Sequence, residues 1–239
     1  MNVYIYDDVN VLGRAAATLI AGKVVAKPDA VIGLATGSTP IPTYKALAEL
    51  NRSGAVSFKA ARTFNLDEYA GLAPEHEQSY RYFMNAQLFD HIDIDKANTH
   101  VPSGFADAAQ AAEYDAAIDA AGGIDIQLLG IGRNGHIGFN EPADDFSRVT
   151  HIVDLTENTI DANARFFASA DEVPRQAVSM GIGTIMKARS ILLIATGANK
   201  AETVRDMLKG PVTPRVPASI LAIHPDVTIK LDRDAAALL

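Results

Sequence analysis

The sequence predicts an α/β fold built on a mostly parallel sheet with helices on both faces, and three features predict it. An unbroken apolar run at residues 30–35 (AVIGLA) and two mostly apolar runs at 124–130 (IDIQLLG) and 190–195 (SILLIA) read as buried strands. Stretches whose apolar residues recur at helical spacing alternate with them. Turns rich in Gly, Thr and Asn follow the strands, the usual place for a ligand in such a sheet.

The elements follow in order. Residues 3–6 alternate as a strand, and Leu12, Ala16, Leu19, Ile20 and Val24 mark a helix. After the strand at 30–35, a helix begins near Pro40 or Pro42 and runs through Tyr44, Leu47 and Leu50. Proline suits that first turn, where its missing N–H is not needed. A short strand is expected at 62–66, a helix at 79–92, and an alanine-rich helix at 106–121 stopped by Gly122-Gly123. The strand at 124–130 is followed by a helix at 158–167, with Thr156 at its N-cap. The strand at 190–195, a helix at 200–208 and a strand at 227–231 complete the chain. Residues 1–239 read as a single catalytic domain without internal repeats or low-complexity linkers.

Composition narrows the function. The 239 residues are ample for a core. With 21 Lys and Arg against 29 Asp and Glu, the net charge is −8 and no basic cluster stands out. This argues against nucleic-acid or membrane-surface binding and requires any anionic substrate to be held by a few local cations. The absence of cysteine excludes disulfides, thiol nucleophiles and cysteine metal sites. The N-terminal residues lack a signal-peptide pattern and no apolar run is expected to be long enough to cross a bilayer, so a cytoplasmic protein is expected.

Four segments carry chemistry. Residues 129–142 (LGIGRNGHIGFNEP) place four glycines around His136 and end in Asn140-Glu141-Pro142. Gly135 and Gly138 flank the histidine and leave little bulk near it. An imidazole exchanges protons near neutral pH, and a carboxylate such as Glu141 fixes its tautomer. Such acid–base help is worth about 10²–10⁴ in rate. A metal site is disfavoured, because neither a His-x-x-x-His pair nor a carboxylate cluster accompanies the loop. Thr36, Gly37, Ser38 and Thr39 lie between a buried strand and a helix N-terminus, where hydroxyls, free N–H groups and the helix dipole suit a phosphate. The competing reading is a simple Ser/Thr helix cap. The spacing is not that of a P-loop. Asn65-Leu66-Asp67-Glu68-Tyr69 follows a strand, and of its adjacent carboxylates only one can face a cleft. Lys200 starts a helix, where its charge opposes the dipole unless an anion is bound, and Arg165 sits among Asn163, Phe166 and Phe167.

These residues resemble the glucosamine-6-phosphate deaminases of the short bacterial type, over nearly the whole chain. The stretches that match are 34–40, 63–69, 130–142, 163–167, 217–221 and 224–225. The Gly-His-Ile-Gly-Phe-Asn-Glu-Pro block is the most specific of them. The resemblance implies a Rossmann-like three-layer sandwich, similar to sugar-phosphate isomerases and CoA transferases, and chemistry that needs no metal or organic cofactor. It implies a sugar-phosphate substrate and conversion of glucosamine 6-phosphate and water to fructose 6-phosphate and ammonia in amino-sugar catabolism. His136 would open the pyranose ring, Glu141 and the residue at 134 would orient it, and Asp67 would take the C2 proton. Thr36–Thr39, Arg165 and Lys200 would hold the phosphate. A candidate lid spans 143–174 and starts at Asp144-Asp145.

Two departures stand out. Asn134 replaces an aspartate found in some members and can only hydrogen-bond, leaving charge stabilisation to Glu141. His151 and Val153 occupy the place of an Arg-x-Lys pair in members activated by N-acetylglucosamine 6-phosphate, so that allosteric site is expected to be absent. A 6-phosphogluconolactonase, a pure aldose–ketose isomerase and a sugar-phosphate sensor rank below the deaminase. The first carries a different loop after its Gly-His. The second would release no ammonia, and the third would not need Asp67, His136 and Glu141 together. The sequence leaves oligomerisation open.

Overall fold

The computed structural model describes residues 1–164, 167, 169 and 172–239. Its strands are β1 (Asn2–Tyr6), β2 (Val31–Leu34), β3 (Arg62–Asn65), β4 (Asp67–Tyr69), β5 (Thr99–His100), β6 (Ile126–Leu129), β7 (His151–Asp154), β8 (Gln176–Ser179), β9 (Ile191–Ala195) and β10 (Val227–Asp232). Its α-helices are α1 (Val9–Ala26), α2 (Ile41–Arg52), α3 (Tyr80–Gln87), α4 (Ala108–Ala120), α5 (Glu157–Asn163), α6 (Ile182–Met186) and α7 (Ala201–Lys209).

Among the described residues, seven strands form one sheet in the order β1-β10-β9-β6-β2-β3-β5, every neighbouring pair parallel. Strands β2, β6 and β9 are buried at every position, as the apolar runs of β2 and β9 require of strands covered on both faces, with Gln127 the one polar side chain among them. From β2 the chain moves outward to β3 and β5, then returns to β6 on the other side of β2 and continues to β9. The reversal between β2 and β6 opens a crevice at the C-terminal ends of these strands, where ligands bind in doubly wound sheets. The turn at Thr36, the segment at Asp67, the glycine loop at Gly130 and the turn at Thr196 follow four neighbouring strands, β2, β3, β6 and β9.

A second, antiparallel sheet, in the order β4-β8-β7, stands over this end. The chain passes from β3 into β4 through Leu66, whose N–H donates to Leu34 O (3.0 Å) and whose carbonyl accepts from Met180 N (2.7 Å). Tyr69, Phe139, Leu155, Ile160, Val173 and Ala177 form a separate apolar cluster under this sheet.

The structure revises several boundaries. The helix expected at 79–92 ends at Gln87 and passes into a 3₁₀ turn at Phe89–His91. The helix expected at 158–167 is α5, and Thr156 occupies its N-cap without a capping hydrogen bond from its side chain. Helix α4 opens at a capping box between Asp107 and Gln110. Strand β1 is an edge strand exposed along most of its length. Helix α1 corrects the expectation that no apolar run is long enough for a bilayer, since by length and composition it is. Leu12, Ala16, Ala17, Ile20 and Val24 are instead buried in the core, and Gly13 lets the helix approach Pro42 of α2, where a Cβ would lie 2.6 Å from Pro42 Cβ.

Asp115 of α4 secures the base of the second sheet. Its buried carboxylate accepts from Thr150 N (2.7 Å), Thr150 Oγ1 (2.7 Å) and Thr184 Oγ1 (2.9 Å), joining α4, the start of β7 and α6. An Asp115→Ala change strands three donors and is expected to lower the unfolding free energy by about 2–4 kcal/mol in urea denaturation. A loss below ~0.5 kcal/mol would show that the clamp is not structural.

Candidate active site

One cleft of about 320 Å³ is lined by Thr36, Gly37, Ser38 and Thr39, by Asp67, by His136 and by Lys200. Asn134 and Glu141 lie behind the histidine and hold it. Arg165 lies outside the described residues.

The turn at 36–39 is shaped by Gly37, whose φ of +99° favours glycine. Helix α2 then starts at Ile41 with Pro42 in its first turn and no side-chain cap. Ser38 and Thr39 therefore do not serve as side-chain caps, and both line the cleft beside the start of α2. Lys200 approaches from the start of α7, and its Nζ donates to Ile131 O (2.6 Å) in the glycine loop. Arg133 of the same loop also lines the cleft, a cation that the motif reading did not single out.

The glycine loop is tightly restrained. The ring of His136 lies against the Gly132 backbone, where a Cβ would sit 2.4 Å from the ring. The glycine that makes room for the imidazole is thus Gly132, whereas Gly135 packs on Val216 and Gly138 faces Ser179, Asn140 and Asp67. Glu141 is the hub behind the ring. One of its oxygens faces His136 Nδ1 at 3.3 Å and accepts from the Asn134 amide, and the other accepts from Thr159 Oγ1 of α5. Burial alone would push the Glu141 carboxyl up. The hydrogen bond and charge of His136 and the donors Thr159 and Asn134 outweigh burial and hold it at about 2. A permanent carboxylate therefore stands behind the imidazole. Asn140 closes the loop by donating to Ile137 O (2.7 Å) and Met180 O (2.9 Å). From outside, Ala218 N donates to Gly135 O (2.8 Å) and Ala143 N to Pro214 O (3.1 Å).

Asp67 sits where the chain leaves the parallel sheet. It and Glu68 point apart, as adjacent residues of a strand must. The Glu68 carboxylate accepts from the N–H groups of Tyr69 (2.9 Å), Tyr80 (2.8 Å) and Arg81 (3.0 Å) and so anchors the start of α3. Asp67 faces the cleft and is 6% exposed. Burial, with Glu68 next to it adding to the effect, pushes its carboxyl up to about 8. Opposite it in the sheet is Ser179, whose Oγ accepts from Phe139 N (3.0 Å) of the glycine loop. A Cβ on Gly138 would stand 3.7 Å from Asp67 Oδ2. The carboxyl and the histidine loop therefore share one wall. Tyr80 lines the same cleft and stacks on Phe139 (ring centroids 6.0 Å, 14°). Thr159, Ser179 and Tyr80 escaped the sequence reading because their partners are distant in the chain. Among the described residues no group of three or more His, Asp or Glu is arranged to hold a metal ion.

The family model of glucosamine-6-phosphate isomerases and 6-phosphogluconolactonases matches residues 8–229. The chain belongs to this family. Within it, a glucosamine-6-phosphate deaminase of Lachnoclostridium phytofermentans is 56% identical over 231 residues, 96% of this chain and 97% of its own. The deaminase of Thermoanaerobacter pseudethanolicus is 51% identical over 241 residues, 100% of this chain and 95% of its own. A solved structure of a monomeric glucosamine-6-phosphate deaminase superposes with a TM-score of 0.97 at 47% identity, over 100% of both chains. The 6-phosphogluconolactonase of Trypanosoma brucei shares the fold, with a TM-score of 0.78 at 21% identity over 100% of this chain and 98% of its own.

The raised Asp67 carboxyl has a cost in stability. In the unfolded chain it ionises near 3.8, in the folded protein near 8. Between these values only the unfolded state is ionised, so the stabilising contribution present at low pH is lost as pH rises through 8. Asp67→Asn removes that loss. The variant is expected to exceed the wild type by at least ~1 kcal/mol at about pH 8.5 and by less at about pH 5. Chemical denaturation at both pH values checks this, and a gap that shrinks as pH rises would contradict it.

Proposed function

We propose that the protein is a glucosamine-6-phosphate deaminase, which converts glucosamine 6-phosphate and water to fructose 6-phosphate and ammonia. The observation that carries this reading is a single cleft with an anion-binding turn and Lys200 alongside both a buried carboxyl and a carboxylate-backed histidine. The names of the relatives support it.

In this reading the 6-phosphate rests on the Thr36–Thr39 turn and Lys200, with Arg165 added by resemblance. Holding one end of the sugar places the other end at the reacting groups, so that remote binding energy serves the chemistry. His136 moves the anomeric proton to the ring oxygen and opens the ring. The Glu141 carboxylate stabilises the imidazolium that forms on the way, and Asn134 only hydrogen-bonds to that carboxylate. Asp67 takes the C2 proton of the open-chain aldehyde while the C2 ammonium passes one proton to O1, which gives an enolamine with a neutral amine at C2 and a hydroxyl on C1. It returns the proton at C1, which leaves an iminium at C2. Water adds to C2, ammonia departs, and the ketone of fructose 6-phosphate remains. Residues 143–174 act as the lid, and Thr159 ties that segment to the Glu141 carboxylate. The same reading places the enzyme in the cytoplasm, where charged sugar phosphates are retained.

The test is release of ammonia and fructose 6-phosphate in equal amounts from glucosamine 6-phosphate. Asp67→Asn is expected to reduce kcat by at least ~10³-fold, and Gly132→Ala, which displaces the imidazole, by about 10²-fold. Absence of ammonia release by the wild type would overturn the reading. Adding N-acetylglucosamine 6-phosphate is expected to leave the rate at subsaturating substrate unchanged or to lower it by competition. His151 and Val153 lie in β7 without the cationic pair that would hold such an activator. A clear activation would contradict this.

A further inference from the structure

Asp67 occupies a site that disfavours the ionised form it needs. It is 6% exposed, accepts no hydrogen bond and forms no ion pair among the described residues. Among the described residues, no cation offsets the charge that Asp67 would carry. Glu68 on its own strand is turned to the N–H groups of α3. Tyr44 of α2, Tyr80 of α3 and Tyr114 of α4 feel its charge, and each is an uncharged phenol. Tyr44 and Tyr114 direct their hydroxyls to main-chain carbonyls, at Ala35 and at Asn65 and His100 respectively. On the glycine loop, His136 turns its Nδ1 to Glu141. Lys200 donates to Ile131 O, and Arg133 also lines the cleft. A general base in such a place remains a neutral acid until a positive charge arrives.

We propose that the substrate supplies this charge: the C2 ammonium of a 2-amino sugar phosphate pairs with Asp67, drives off its proton and so creates the base that acts at C2. The inference rests on the deaminase reading and adds a rule of specificity to it. A 2-hydroxy sugar phosphate fills the same cleft and reaches the same phosphate turn, but leaves Asp67 protonated and enolisation idle. The amine is then recognised by its charge, at the residue that performs the chemistry, and no separate amine pocket is needed. Only proton transfers are involved. Asp67 releases its proton to solvent on binding and is a carboxylate when it meets the C2 hydrogen.

Infrared difference spectroscopy reads the carboxyl directly, with two unreactive probes at about pH 6.5. The probes are 2-amino-2-deoxyglucitol 6-phosphate and glucitol 6-phosphate, which lack the aldehyde and differ only at C2. The free enzyme is expected to show the carbonyl stretch of a buried carboxylic acid, absent in Asp67→Asn. Saturation with the amino probe removes this band and glucitol 6-phosphate leaves it. The amino probe is expected to bind at least ~10-fold more tightly to the wild type, with the preference lost in Asp67→Asn. The proposal is overturned if the free enzyme has no such band, if the band survives the amino probe, or if both probes remove it. Failure of both probes to bind overturns the deaminase reading itself, a distinct outcome seen as no displacement at saturating concentration.

Discussion

The cost of ionising one buried carboxyl organises this protein. Asp67 stands at the point where the chain leaves the parallel sheet and enters the antiparallel one, among apolar residues and neutral phenols. Burial raises its carboxyl to about 8 and makes it a poor carboxylate in water's absence. That same burial excludes competing solvent and makes the carboxylate a strong base once formed. Two sheets are needed for this position. The parallel sheet delivers Asp67 to the C-terminal edge beside the Thr36–Thr39 turn, and β8 closes over it through the pairing of Asp67 with Ser179.

Glu141 is the counterpart of Asp67. It is partly buried, yet hydrogen bonds and the neighbouring imidazole hold it at about 2. Two carboxyl groups in one site are thus pushed in opposite directions, one by burial without donors and the other by donors that outweigh burial. This separation fits the proposed division of work, in which Asp67 exchanges protons while Glu141 keeps its charge and orients the histidine. Thr159 extends the hub into α5, so that helix is tied to the group behind the imidazole. Residues 213–219 brace the loop from the opposite side through Ala218 and Val216.

Much of this was legible in the sequence because β2 and β9 are continuous apolar runs and β6 is nearly so, and burial on both faces leaves that mark. The turn at Thr36, the carboxylate pair at Asp67 and the glycine loop at His136 were legible because glycine and clustered polar residues mark the ends of those strands. Strands β4, β5, β7 and β8 were not, being two to four residues long with no period to detect. The role of the glycines was read one turn out of place. Sequence proximity pointed to Gly135 and Gly138, whereas the loop folds back so that Gly132 carries the ring. Thr159 and Ser179 were invisible for a related reason: each acts on the glycine loop from 18 or 40 residues away, Thr159 from α5 and Ser179 from β8.

In the proposed mechanism one secluded carboxyl carries the proton from C2 to C1. This transfer is tested most directly by turnover of glucosamine 6-phosphate deuterated at C2 in ordinary water, with the product analysed by NMR. A base 6% exposed exchanges slowly with solvent, so fructose 6-phosphate carrying part of the deuterium at C1 is the predicted result. Complete loss of the label to water, at the earliest turnover measured, would contradict a base shut away from solvent.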